Sequence, residues 1–116
     1  MTDKRVVLVT CASEEEASRI ARALVHARLA ACVSILQSPV VSVYRWKGRI
    51  QTSTEHLLLI KTHRARLRTV EAAVKRLHSY DVPEFIALPV SEGSRDYLAW
   101  MKECLSPIRV KKVQRR

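Results

Sequence analysis

Residues Tyr44 to Thr62, YRWKGRIQTSTEHLLLIKT, read as two long strands joined by a tight turn at Lys47-Gly48. Gly48 supplies the positive φ that such a turn demands. A ribbon of this length overhangs the single domain that a chain of 116 residues can build. Its open edges and its aromatics, Tyr44 and Trp46, then need a covering surface. The hairpin therefore predicts an obligate oligomer. Trp46 at its tip is the expected interface anchor, with Tyr44 and Trp100 beside it.

The flanking segments supply the body. Arg5 to Thr10 (RVVLVT) is an apolar run suited to a buried strand. Ser13 and Glu16 match a capping box, and Glu14, Glu15 and Glu16 suit the positive end of a helix. Ala17, Ile20, Ala21, Leu24 and Val25 then recur on one helical face, and the helix should end near Leu29. A second strand opens at Cys32 and is interrupted at Gln37-Ser38-Pro39, where a bulge or kink is expected. It resumes from Val40 to Trp46. In the third strand, Arg49 to Lys61, the QTSTE half reads as solvated and the HLLLIK half as core. Thr62 is a plausible cap for a second helix over Arg64 to His78. Phe85 to Val90 forms a fourth strand, and Pro89 places it at an edge. A terminal helix spans Arg95 to Leu105, with Tyr97, Leu98, Met101 and Leu105 inward.

The order β-α-β-β-α-β plus a terminal helix is the ferredoxin-like arrangement of the α+β class. Helices cover one sheet face and leave the other bare unless another subunit or a ligand covers it. Residues 1–105 form this domain and residues 106–116 a basic tail. The tail carries five bases and no acid, half of the formal charge of +10. It could touch a polyanion. No stacking platform accompanies it, so nucleic acid is not an expected partner of the domain. No apolar run approaches membrane-spanning length, and the N-terminal run is too short for a signal sequence. A cytoplasmic protein is expected, or one whose targeting segment has been removed.

Cys11, Cys32 and Cys104 are odd in number and lie far apart, which argues against a disulfide framework or a zinc knuckle. No phosphate loop, nucleophile elbow or paired-carboxylate motif suggests an enzyme.

Five strings carry a resemblance: Val7 to Ile35, Tyr44 to Ile50, LLIKT (Leu58 to Thr62), HSYDVPEFIALPV (His78 to Val90) and YLAWM (Tyr97 to Met101). Their order and spacing resemble the CutA family of divalent-cation tolerance proteins over roughly Val6 to Leu105. The resemblance implies a PII-like homotrimer whose long hairpins pair with neighbouring subunits. It implies a non-enzymatic role in tolerance to divalent metals, copper especially. The family commonly has His-Pro-Tyr-Glu where this chain has His78-Ser79-Tyr80-Asp81. Loss of the proline is expected to loosen that loop slightly.

Copper prefers thiolate and imidazole. No two such ligands stand at a local spacing, so a site would have to be assembled by folding. Cys11, at the end of the first strand, and His78, at the end of the second helix, are the candidate metal ligands. The alternative for Cys11 is a packed thiol, and for His78 a side chain facing the helix dipole. A second candidate is an inter-subunit cleft for a small anion. There Lys61 supplies charge, Tyr80 and Trp46 the walls, and Glu84 orients Lys61. The bland alternative is an ordinary ion pair between Lys61 and Glu84.

Overall fold

The computed structural model describes residues 2–107. The basic tail beyond Pro107 lies outside the described residues. The elements are β1 (Lys4–Cys11), α1 (Glu14–His26), β2 (Cys32–Ile35), β3 (Val40–Trp46), β4 (Arg49–His63), a 3-10 turn at Arg64–Arg66, α2 (Leu67–Leu77), β5 (Ile86–Pro89) and α3 (Arg95–Leu105). The strands lie in the order β2-β4-β1-β5, every neighbouring pair antiparallel, with β5 at an edge. This is the ferredoxin-like sheet.

β4 is the organising strand. Its last residues pair with β1 (Leu58 opposite Val9, Ile60 opposite Val7) and, on its other edge, with β2. Its first residues pair with β3 from Arg49–Trp46 to Glu55–Val40, which makes the hairpin. Lys47 and Gly48 both take positive φ, 52° and 77°, as a tight primed turn requires.

Strand alternation decides the core. Val7, Val9 and Cys11 of β1, with Leu58, Ile60 and Thr62 of β4, face the helices and are fully buried. α1 meets them with Ala17, Ile20 and Leu24, and α2 with Val70, Ala73 and Val74. Burying a side chain such as Ile20 or Leu58 stabilises by about 1.5–3 kcal/mol. α3 packs through Met101 and Leu105 against Ala31. Tyr97, expected inward, is half exposed and its ring tilts against Trp100 at 5.3 Å.

Three local expectations are corrected. α1 stops at His26, and Arg28 turns the chain with φ of 60°. Thr62 is not a helix cap: its hydroxyl is buried and donates to the Leu29 carbonyl at 2.7 Å. It thereby fastens β4 to the end of the α1 turn, and α2 begins later, at Leu67. Glu55, expected among solvated residues, is 5 % exposed.

Candidate functional site

The sheet end where β1 and α2 finish holds a buried polar network. His78 is the C-terminal cap of α2, and its side chain is wholly buried. Its Nε2 lies 2.7 Å from the Thr10 carbonyl, and its Nδ1 lies 3.0 Å from the amide nitrogen of Tyr80. A carbonyl can only accept and an amide can only donate. The proton therefore sits on Nε2 and the lone pair on Nδ1.

Glu16 completes the network. Ser13 caps α1 by accepting from the Glu16 amide at 3.1 Å, as the capping box predicts. The Glu16 carboxylate does not return to Ser13. It accepts from the Ala12 amide at 3.1 Å, from the Ser79 amide at 2.5 Å and from the Ser79 hydroxyl at 3.2 Å. Burial alone would raise this carboxyl; the Ser79 hydroxyl and amide and the Ala12 amide outweigh it and hold it below the ordinary carboxylate range. Ser79 thus ties the loop to α1 by two bonds, one of them through an amide that proline lacks. The loosening expected from the missing proline is offset by this link.

Cys11 and His78 are brought together. With Glu16 they offer ligand atoms all within 4.8 Å of one another. Their present chemistry is that of a closed network. Burial, then the charges of Glu16 and Glu55, push the Cys11 thiol up to about 12, so it holds its proton. Both His78 nitrogens are engaged. A soft ion would have to displace a proton and at least one hydrogen bond to enter.

Next to this network lies an open cleft of about 610 Å³, lined among others by Tyr44, Trp46, Glu55, Tyr80, Asp81 and Glu84. The Tyr80 hydroxyl donates to Glu55 at 2.7 Å, and its ring tilts against His78 at 4.7 Å. Burial, then that bond, raise the Tyr80 phenol far above its usual range. Burial and the Glu55 charge raise the Glu84 carboxyl. Sequence reasoning missed Glu55, because it is out of phase with the buried Leu58, Ile60 and Thr62. For Glu16 the sequence signals only the helix cap.

Of the residues assigned to an anion cleft, Tyr80, Glu84 and Trp46 meet here. Lys61 does not. Its ammonium lies 5.8 Å from the ring of Tyr97 on α3, on the side where Trp100 also sits. Within the protomer Lys61 therefore supplies no charge to this cleft.

A family model described as "CutA1 divalent ion tolerance protein" matches residues 5–104. The chain belongs to the CutA1 family. It is 49 % identical over 100 residues to a divalent-cation tolerance protein CutA of Thermus thermophilus, covering 86 % of this chain and 96 % of that one. It is 44 % identical to the chloroplastic protein CutA of Arabidopsis thaliana over 84 % of this chain and 53 % of the relative. The solved Cut A1 structure from Thermus thermophilus superposes with a TM-score of 0.86 at 48 % identity, covering 89 % of this chain and 99 % of that one. Among the described residues, no helix is long and apolar enough to cross a membrane.

Proposed function

We propose that this CutA1-family chain is a non-enzymatic, homotrimeric divalent-cation response protein of the cytoplasm, which takes up a cation reversibly in the cleft of Glu55, Asp81 and Glu84. The observation that carries this reading is the sign of the cleft. Three carboxylates line it, and no Lys, Arg or His is among the described lining residues. Crowding of Glu84 by Glu55 is a cost that a bound cation relieves. Such oxygen ligands suit harder divalent ions better than soft ones. The same sign runs against the small-anion alternative. The trimer is supported by the ribbon itself, where Val41 and Val43 are each 67 % exposed and Ile50 61 %. Tyr44 and Trp46 stand half exposed beside them, as an unpaired interface would leave them.

A second reading keeps copper at Cys11 and His78, with Glu16 as third ligand. Their convergence within 4.8 Å favours it. The engaged imidazole and protonated thiol predict weak, slow uptake there.

Calorimetric titration of the purified chain with manganese and with copper separates the readings. Saturable manganese binding lost in Glu84→Gln supports the cleft. Copper binding lost in His78→Gln, with manganese silent, moves the assignment to Cys11 and His78. No saturable binding of either ion overturns the cation reading.

A further inference from the structure

The opposite end of β4 carries the opposite charge. Eight residues separate Glu55 from His63, about 26 Å along an extended strand. There a hollow of about 480 Å³ opens between the end of β4 and the end of α3, and His63, Arg66 and Lys102 line it. We propose that this hollow binds a small tetrahedral oxyanion of the phosphate or sulfate class, held by Arg66 and Lys102, with the His63 ring turning its buried Nε2 to meet it.

The argument starts from strand register. Lys4 pairs opposite His63, which brings Asp3 beside the imidazole. Asp3 is the one acid among the described residues lining the hollow, and its Oδ1 is taken by the Lys4 ammonium at 2.7 Å. That pair is locally neutral. Asp3 Oδ2 stands 3.8 Å from Nδ1 of His63, so the imidazole turns Nδ1 toward the acid. Nε2 is then left buried with no hydrogen-bond partner among the described residues. Buried polar nitrogens are rarely left so.

Two cations remain. Arg66 uses one Nη2 hydrogen on the Leu105 carbonyl at 2.8 Å, which fixes the guanidinium at the mouth and leaves its other donors. Lys102 projects from the last turn of α3, exposed and without a carboxylate partner among the described residues. An oxyanion with several acceptor oxygens can satisfy Arg66 and Lys102 together, and a turn of the His63 ring would bring a protonated Nε2 to it.

Proton uptake is part of this binding. Burial, together with the Lys4 and Arg66 charges, lowers the His63 pKa in the empty hollow against the pull of Asp3. Among the described residues the charged groups acting on the ring are Asp3, Lys4 and Arg66, and Lys102 lines the same hollow. Adding an anion raises the His63 pKa, so affinity increases as the pH falls through the bound-state value.

The test uses the full chain, with the His63 ring carbons followed by NMR and assigned by His63→Gln. Sulfate is titrated at pH 6 and pH 8, because it does not itself titrate there, and phosphate is run in parallel. The expected result is a saturable shift of His63 with sulfate, tighter at pH 6. Lys102→Ala, a surface change, should weaken it about tenfold through one lost charge-assisted bond. Phosphate tighter than sulfate at pH 8 would assign the phosphate class, and equal affinity any tetrahedral oxyanion. A shift reproduced by chloride at matched ionic strength, or unchanged in Lys102→Ala, overturns the proposal. A response to a short oligonucleotide but to neither anion overturns it in favour of a strand-length polyanion contact.

Discussion

The imidazole of His78 donates from Nε2 to the carbonyl of Thr10 at 2.7 Å, sixty-eight residues away in the chain. One side chain thereby fastens the end of α2 to the end of β1. Its other nitrogen accepts from the Tyr80 amide and sets the start of the loop that walls the cleft. His78→Ala leaves the Thr10 carbonyl and the Tyr80 amide without these partners in a largely buried site. Loss of about 2–4 kcal/mol is expected. Urea denaturation at fixed protein concentration measures it, and an unchanged midpoint would show that the bond is not structural.

Ser79 gives Glu16 both its amide and its hydroxyl. Ser79→Pro removes both donors. It also restricts the unfolded chain, which offsets part of the loss. A net destabilisation of about 1–2 kcal/mol is expected. Ser79→Ala, which keeps the amide, should cost less. A proline variant more stable than the parent would show that chain stiffness outweighs the two bonds.

Most of the fold could be read from periodicity and turn chemistry. The alternation of Val7, Val9, Leu58 and Ile60 and the Lys47-Gly48 turn are local signals, and the structure follows them. The polar site was less legible because its partners are set by tertiary contact. Thr62 looked like a cap, since an N-cap and a buried tether to Leu29 call for the same residue type. Glu55 looked solvated because nothing in QTSTE announces that Tyr80, twenty-five residues later, will reach it. Cys11 and His78 could be named from sequence, but not the hydrogen bonds that already occupy His78.

Glu16 and Glu84 should shape the pH dependence in opposite directions. The Glu16 carboxyl is held below its ordinary value near 4.5 in the folded state. Its contribution is therefore present above that value and lost as the pH falls through the depressed one. Glu16→Gln should lower stability at neutral pH and flatten the acid limb. Glu84 is raised above the same ordinary value. Its contribution is full below that value and lost as the pH rises through the raised one. Glu84→Gln should therefore melt higher than the parent at pH 7, and the gap should narrow when manganese is added. Thermal melts from pH 3 to pH 8 check both limbs. A Glu84→Gln variant that melts lower at pH 7 would remove the charge crowding on which the cation reading rests.

The Cys11 thiol offers a chemical check on the network. It is fully buried, and its pKa is pushed up to about 12 by burial and by the Glu16 and Glu55 charges. At pH 8 the thiolate fraction is then about a thousandfold below that of an ordinary thiol, before burial slows access further. Iodoacetamide at pH 8 should leave Cys11 unmodified in the native protein while all three cysteines react in urea. Peptide mapping reads the outcome. In Glu16→Gln the larger of the two charge effects raising the thiol is gone, so labelling of Cys11 should rise but remain limited by burial. Rapid labelling of Cys11 in the unaltered protein would mean that the site opens readily, and it would restore the thiolate that a soft ion needs.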